Sequence, residues 1–221
     1  MMKPEVDYRQ FRLSRIHEQQ YSHLKLLLGW VGYFILFFLT ENFIPAEKCF
    51  PVWCRIDDWV PFCEYFLIPY VFWYFLIVFS LGYFLLYHVE SFKKLQTYII
   101  VTQVVAMAMY ILFPTRQDLR PSVFPRDNFL TQGVAFLYSV DTNTGVCPSL
   151  HVAYSLGIAS VWLKEKNAHP AWKIFVAVSA ALICLSTVFI KQHSVVDFFA
   201  AIPVCVLAEY LVFKRIRWKN A

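Results

Sequence analysis

Long apolar runs separated by short polar segments dominate this chain of 221 residues. A helix needs about 17 to 25 mostly apolar residues to cross the hydrocarbon core of a bilayer. Six runs approach that length, at residues 24–44, 62–87, 95–114, 149–163, 172–190 and 195–213. The fourth run is the shortest, so we expect its helix to stop short of one membrane surface. The pattern predicts an all-α integral membrane bundle of six transmembrane helices.

The composition favours lipid over water as the solvent of this protein. Hydrophobic residues make up 59% of the chain and aromatic residues 19%, while only 16% of the residues are charged. Those fractions exclude an ordinary soluble domain. We predict a cytosolic amphipathic segment at residues 1–23, a membrane catalytic domain at residues 24–214 and a basic cytosolic tail at residues 215–221. The first segment lacks the apolar core and cleavage site of a signal peptide.

The distribution of basic residues predicts the orientation in the membrane. Lys and Arg accumulate in cytoplasmic loops, and most of the 20 basic residues fall on one side if both termini are cytoplasmic. The formal net charge of +5 then follows from topology and requires no nucleic-acid partner. We expect a multi-pass protein of a cell membrane, taken to be bacterial, whose oligomeric state the sequence leaves open.

Two of the six histidines share the predicted outer face of the membrane. His151 ends the sequence Cys-Pro-Ser-Leu-His at the start of the fourth run. His193 ends Lys-Gln-His before the sixth run, and Asp197 follows four residues later. Residues four apart lie on the same face of a helix, so Asp197 can hold the ring of His193. Ionisable groups near membrane spans often mark function.

This set of residues is suited to phosphate ester cleavage, which needs a nucleophile, an acid and groups that bind the phosphate oxygens. A neutral imidazole attacks phosphorus well when a carboxylate fixes its tautomer, which is the role expected of Asp197 on His193. His151 would then protonate the leaving group. The expected phosphate-binding residues are Arg120, Lys191, Ser149 and Arg116. This chemistry requires neither a metal ion nor another cofactor.

The ordered motifs resemble those of the type 2 phosphatidic acid phosphatase superfamily. That family carries a Lys followed by Arg-Pro, then Pro-Ser-Gly-His, then Ser-Arg with a later His and Asp. The matching positions here are Arg120-Pro121, the sequence Pro-Ser-Leu-His at 148–151, and the segment from Ser186 through His193 to Asp197. The resemblance covers nearly the whole chain from Leu24. It implies that His193 forms a phosphohistidine and that His151 is the acid.

Three departures from the family pattern point to a divergent branch. The first-motif Lys falls at Phe113, the Gly at Leu150 and the third-motif Arg at Thr187. Two phosphate-binding cations are therefore absent, and Arg116 and Lys191 are the candidates to replace them. Such variants look similar to inositol phosphorylceramide synthases and related bacterial membrane proteins.

The leading functional hypothesis is a metal-independent phosphatase of lipid metabolism. It would hydrolyse a phosphomonoester or diphosphate lipid, similar to phosphatidic acid or a polyprenyl diphosphate, in the outer leaflet. An alternative is a phosphotransferase that uses the same His, His and Asp set to pass a headgroup to a lipid hydroxyl. A second alternative is a lipid-binding or transport protein without catalysis.

The two longer outer loops leave further alternatives open. The loop at 45–61 is expected to cap the bundle at the interface, or its acidic residues Glu47, Asp57 and Asp58 select an amine-bearing headgroup or a metal ion. In the other loop the apolar stretch at 129–140 is expected to lie along the interface. A disulfide among the predicted outer cysteines is equally open.

Overall fold

The computed structural model describes residues 3–216 and 218, and 72% of these described residues are helical. The described residues form eight α-helices and two strands of two residues each. The helices are α1 (Leu28–Phe43), α2 (Arg55–Trp59), α3 (Leu67–Tyr87), α4 (Val89–Leu112), α5 (Phe129–Val140), α6 (Leu150–Lys164), α7 (Pro170–Phe189) and α8 (Val195–Tyr210). The strands β1 (Phe50–Pro51) and β2 (Thr115–Arg116) pair in parallel. The predicted all-α class is confirmed.

Five helical stretches of the described chain are long and apolar enough to cross a membrane. They are Gln19–Phe43, Glu64–Tyr87, Val89–Leu112, Pro170–Phe189 and Val195–Arg215. The fourth predicted span is helix α6, whose 15 residues extend about 22 Å. The helices are therefore compatible with a multi-pass membrane protein, and the sixth span stays a prediction.

Helix α6 lies at the centre of the bundle and packs against α3, α4, α7 and α8. Its small residues let a neighbouring helix approach closely. A Cβ atom added to Gly157 would lie 2.5 Å from Cδ1 of Tyr98 on α4. The Tyr98 hydroxyl in turn donates to the carbonyl oxygen of Cys205 on α8, at 3.3 Å. This contact fixes three helices at mutual distances that allow little adjustment.

Helix α1 lies at the edge of the bundle, where it packs mainly against α4 and only 6% of its span is buried. Two polar contacts fasten it. Near one end the Trp30 indole Nε1 donates to Gln96 Oε1 at 3.0 Å. At the other end the Glu41 carboxylate accepts hydrogen bonds from Thr142 and Thr144. Between these contacts most of its apolar side chains are exposed.

The N-terminal segment, for which we predict an amphipathic cytosolic segment, has its own local structure. It forms three 3-10 helices, at Tyr8–Gln10, Leu13–Arg15 and Gln19–Leu27, and the last of them leads directly into α1. The Tyr8 hydroxyl donates to the Leu85 carbonyl oxygen at 2.8 Å and lies 2.7 Å from Nε2 of His23. Of the predicted basic tail, residues 217 and 219–221 lie outside the described residues.

The loops that precede α3 and α6 meet at one end of the bundle, which we call the histidine end because His151 and His193 lie there. Strand β1, before α3, pairs with strand β2, which follows α4, and Arg116 of β2 forms a further bridge to Thr144 in the loop before α6. The apolar stretch predicted at 129–140 is helix α5. The Arg126 guanidinium anchors it by a two-point ion pair with the buried Glu64 carboxylate, at 2.8 and 2.9 Å. All six cysteines are free.

Candidate active site

Two helix starts bring the histidines together. His151 is the second residue of α6, whose N-cap is the buried Ser149. His193 lies two residues before α8. The Ser149 backbone N–H donates to the carbonyl oxygen of Asp197 at 3.1 Å, which ties the first turns of both helices. As a result the two imidazole rings lie 5.6 Å apart between their centroids.

Asp197 holds His193 in one orientation. Its Oδ2 lies 3.2 Å from Nδ1 of His193 and accepts the Ser194 backbone N–H at 2.9 Å. The carboxylate is fully buried. A proton on Nδ1 satisfies this contact and leaves Nε2 with its lone pair. The predicted pairing at i and i+4 thus yields an imidazole whose second nitrogen is available for chemistry.

His151 is held by aromatic rings. Its ring centroid lies 4.5 Å from that of Tyr70 and 4.2 Å from that of Trp73, with interplanar angles of 30° and 37°. Its buried Nε2 has no hydrogen-bond partner in the described part of the chain. Both aromatic residues belong to α3, which therefore sets the position of the second histidine.

Both histidines line a cavity of about 530 Å³. Its polar lining consists of side chains at the histidine end, and none of the described residues that line it is Lys or Arg. The apolar lining includes Trp30, Phe34 and Phe37 on α1 and Trp73, Ile77 and Val78 on α3. Phe34 and Val78 are 60% and 72% exposed, so the cavity opens sideways between α1 and α3.

A carboxylate that the sequence analysis did not select faces this cavity. Asp141 follows the last residue of α5, and its Oδ2 accepts hydrogen bonds from Gln192 Nε2 at 2.8 Å and from the Tyr70 hydroxyl at 3.3 Å. Burial raises the pKa of Asp141, although His193 and Arg120 oppose the shift by favouring the charged form. Gln192 therefore connects the loop that carries His193 to the cavity wall.

Arg120 lies behind Gln192 rather than in the cavity lining. Its Nη2 donates to Gln192 Oε1 at 2.7 Å and to the carbonyl oxygens of Asp141 and Thr142, both at 2.8 Å. The guanidinium also lies 4.4 Å from the Tyr138 ring centroid. Burial lowers the pKa of Arg120. These partners engage the Nη donors that were predicted to bind phosphate, while the buried Nε has no partner among the described residues.

The other two predicted cations point away from the cavity. Lys191, whose φ is 55°, donates from Nζ to the carbonyl oxygens of Asp57 and Val60 at 2.8 and 2.6 Å. Burial lowers the pKa of Lys191, while Asp57 opposes that shift. Arg116 forms an ion pair with Asp118 at 3.0 Å. The structure therefore gives neither of them a place beside the histidines.

The buried carboxylate of Asp57, from the cap helix α2, clamps the start of α8. Its Oδ1 accepts the Val195 backbone N–H at 2.7 Å, and its Oδ2 accepts the Ser194 hydroxyl at 2.6 Å and the Cys54 backbone N–H at 2.9 Å. Asp57 is only 1% exposed. It thus supports the loop of His193, a role that the two interpretations of its loop did not include.

Comparison of the chain with protein-family models, with curated proteins and with solved structures found no match. The described residues contain no group of three or more His, Cys, Asp or Glu side chains that could hold a metal ion. What the site can do chemically therefore follows from its own geometry, which combines a carboxylate-bound imidazole, a second imidazole and an apolar cavity.

Proposed function

We propose that this protein is an integral membrane enzyme that cleaves a lipid phosphate ester through a phosphohistidine on His193, without a metal ion. One observation carries the proposal: Asp197 engages Nδ1 of His193 at 3.2 Å, while the ring of His151 lies 5.6 Å away in the same cavity. A nucleophile with a fixed tautomer and a second titratable ring is the minimum set for transfer through a covalent intermediate.

The reaction runs in two balanced steps. Nε2 of His193 attacks phosphorus, the bond from phosphorus to the leaving oxygen breaks, and protonated His151 gives its proton to that oxygen. In the second step neutral His151 takes a proton from water as the water oxygen attacks phosphorus, which releases Nε2. Stacking on Tyr70 and Trp73 holds the ring of His151 in position beside His193.

The shape of the cavity supports a lipid substrate. It opens between α1 and α3 beside exposed apolar side chains, so an acyl chain can remain among the helices while its phosphate reaches His193. The leading form of the proposal is a phosphatase for a phosphomonoester or diphosphate lipid, with water as the acceptor. We propose the outer leaflet as the source of the substrate, following the orientation that the loop charges predict.

A headgroup phosphotransferase is the second candidate, and the cavity lining favours it. No Lys or Arg lines the cavity in the described part of the chain, and apolar walls suit a second lipid as acceptor. The histidines and Asp197 would act in the same order, with a lipid hydroxyl in place of water. Appearance of the phosphate on an added alcohol acceptor, with no release of inorganic phosphate to water, would support the transferase over the hydrolase.

The test uses the full chain in micelles with phosphatidic acid and a polyprenyl diphosphate as separate substrates. We expect His193→Gln and His151→Gln each to lower turnover by about 10³-fold or more with unchanged melting temperatures, because each removes an essential step. His17→Gln is the matched control, since His17 contacts Lys25 at 3.1 Å, far along the chain from the site. Wild-type turnover in either site variant would overturn the mechanism.

Absence of turnover with all lipids would instead favour the non-catalytic binding protein. Covalent labelling adds a direct readout: radioactive phosphate should remain on the protein in alkali and leave in acid, as expected for a phosphorus–nitrogen bond. The His193→Gln variant should not be labelled. Labelling of that variant at the wild-type level would exclude His193 as the nucleophile.

A further inference from the structure

We propose that the cavity binds a phosphodiester lipid with a cationic alkylammonium headgroup, and that Asp141 is the residue that selects this headgroup. This inference deepens the phosphotransferase form of the proposed function, on which it depends for the fate of the bound lipid. The observations behind it are the charges around the cavity, the free oxygen of Asp141 and the aromatic lining.

The charges at the cavity disfavour a doubly charged phosphate. A phosphomonoester carries a charge of about −1.5 to −2 at pH 7, whereas a phosphodiester carries a single charge. A buried dianion needs cations within contact distance. Arg120 and Lys191 lie outside the cavity lining, where Nη2 of Arg120 and Nζ of Lys191 donate to carbonyl oxygens and to Gln192, and no Lys or Arg lines the cavity among the described residues.

The cavity also has a carboxylate oxygen to offer. Both hydrogen bonds to the Asp141 side chain, from Tyr70 and Gln192, end on Oδ2, so that Oδ1 is available to a ligand. A second carboxylate, that of Glu41, is hydrogen-bonded to Thr142 in the cavity wall. Arg120 balances one of these two negative charges. A cationic ligand would balance the other.

Aromatic rings line the same cavity as this carboxylate. Tyr33 on α1 and Tyr74 on α3 both belong to the lining, and the Tyr70 hydroxyl donates to Asp141 at 3.3 Å. Trp30 and Trp73 line it as well. Aromatic faces combined with a carboxylate are the usual means of binding alkylated ammonium groups, whose methyl groups cannot use hydrogen-bond acceptors.

The positions of the two binding groups fit one zwitterionic headgroup. Asp141 and His193 line the same cavity, and Gln192 donates to Asp141 from the position next to His193. The proposal is that a phosphate at Nε2 of His193 carries its cationic substituent to the open oxygen of Asp141. The lipid chains would leave through the opening between α1 and α3.

The test measures binding without turnover. The full chain with His193→Gln, in maltoside micelles, is titrated with short-chain phosphatidylcholine, phosphatidylglycerol and phosphatidic acid, and the fluorescence of the cavity tryptophans reports binding. We expect phosphatidylcholine to bind at least about tenfold more tightly than phosphatidic acid. Equal or tighter binding of phosphatidic acid would overturn the inference.

Variants identify the selecting group. Asp141→Asn, which keeps the shape of the side chain, should remove the preference for phosphatidylcholine over phosphatidylglycerol. Tyr74→Leu, at a half-exposed position, should weaken phosphatidylcholine binding several-fold. Asp118→Asn is the matched control, because Asp118 pairs with Arg116 outside the cavity lining. An unchanged preference in both Asp141→Asn and Tyr74→Leu would also overturn the inference.

Turnover by the wild-type chain separates the two proposals. Preferential binding of phosphatidylcholine without histidine-dependent turnover of any lipid would support the inference and refute the proposed function. Histidine-dependent turnover of phosphatidic acid, with no preference for phosphatidylcholine, would support the proposed function and refute the inference.

Discussion

Removal of the Asp57 carboxylate should loosen the loop that carries His193. Two hydrogen bonds reach it from the start of α8, from the Ser194 hydroxyl and the Val195 backbone N–H. Hydrogen bonds to a charged group contribute about 1.5 to 3 kcal/mol each. Asp57→Ala should therefore destabilise the fold by about 3 to 6 kcal/mol through these two bonds, and loss of the bond from the Cys54 backbone N–H adds to that. Asp57→Asn keeps one acceptor oxygen and should cost about half as much.

Activity should fall in the same variants because the nucleophile loses its position. A displacement of about 1 Å costs on the order of 10²-fold in rate. Since Asp57 does not line the cavity, we expect Asp57→Asn to lower kcat about 10- to 100-fold while KM changes less than about threefold. Asp57 is thus a positioning residue.

Thermal unfolding and steady-state kinetics on one preparation in micelles would measure both effects. A loss of 1 kcal/mol lowers the Tm of a chain of this size by about 2 to 4 °C. Asp58→Asn is the control, because this neighbouring side chain accepts only from the exposed Trp53 indole, at 3.1 Å. If Asp57→Asn kept both the wild-type Tm and the wild-type kcat, the clamp would have no energetic role.

Three further predictions concern other parts of the site and the bundle. Asp197→Asn should lower kcat by at least about 10²-fold by disturbing the His193 tautomer, with wild-type kcat as the contrary result. Gly157→Ala should cost about 1 to 3 kcal/mol in thermal unfolding, whereas Gly32→Ala, whose added Cβ meets nothing within 4 Å, should be neutral or slightly stabilising; equal effects would contradict the packing explanation. Burial raises the pKa of Asp141, so the protonated carboxyl stabilises the fold fully below the unfolded pKa of about 3.9, and this contribution is lost as pH rises through the folded pKa. The Tm of the wild-type chain should therefore fall between these two pKa values, and Asp141→Asn should flatten that fall. Parallel Tm profiles of wild type and variant would contradict this prediction.

The sequence located the helices well where apolar periodicity coincides with an end signal. Helix α6 occupies Leu150–Lys164 against the predicted 149–163, because Ser149 is a helix cap and the chain becomes polar after Lys164. The prediction for α4 began at residue 95, although the helix begins at Val89. Its first turns carry Glu90, Lys93 and Lys94, and these charged residues interrupt the apolar pattern that was used to predict the helix. Only His88 separates α4 from α3.

Within the site, only local relations could be predicted. The pairing of His193 and Asp197 spans four residues and follows from helix geometry alone. Asp57 reaches Val195 over a separation of 138 positions, and Gln192 reaches Asp141 over 51. Hydropathy carries no information on such contacts, because tertiary packing creates them. For the same reason the sequence could not show that the guanidinium of Arg120, a group suited to binding phosphate, donates instead to carbonyl oxygens.

Because the cavity opens sideways between α1 and α3, its occupancy depends on the concentration of ligand in the bilayer rather than on its concentration in the buffer. A ligand that enters from the bilayer is counted as a mole fraction of the surrounding lipid, and its amount per volume of buffer has no direct bearing on occupancy. Detergent chains would enter by the same path and compete for the cavity. Apparent affinities should therefore shift with micelle concentration and with detergent chain length, and values from different micelles become comparable only as surface fractions.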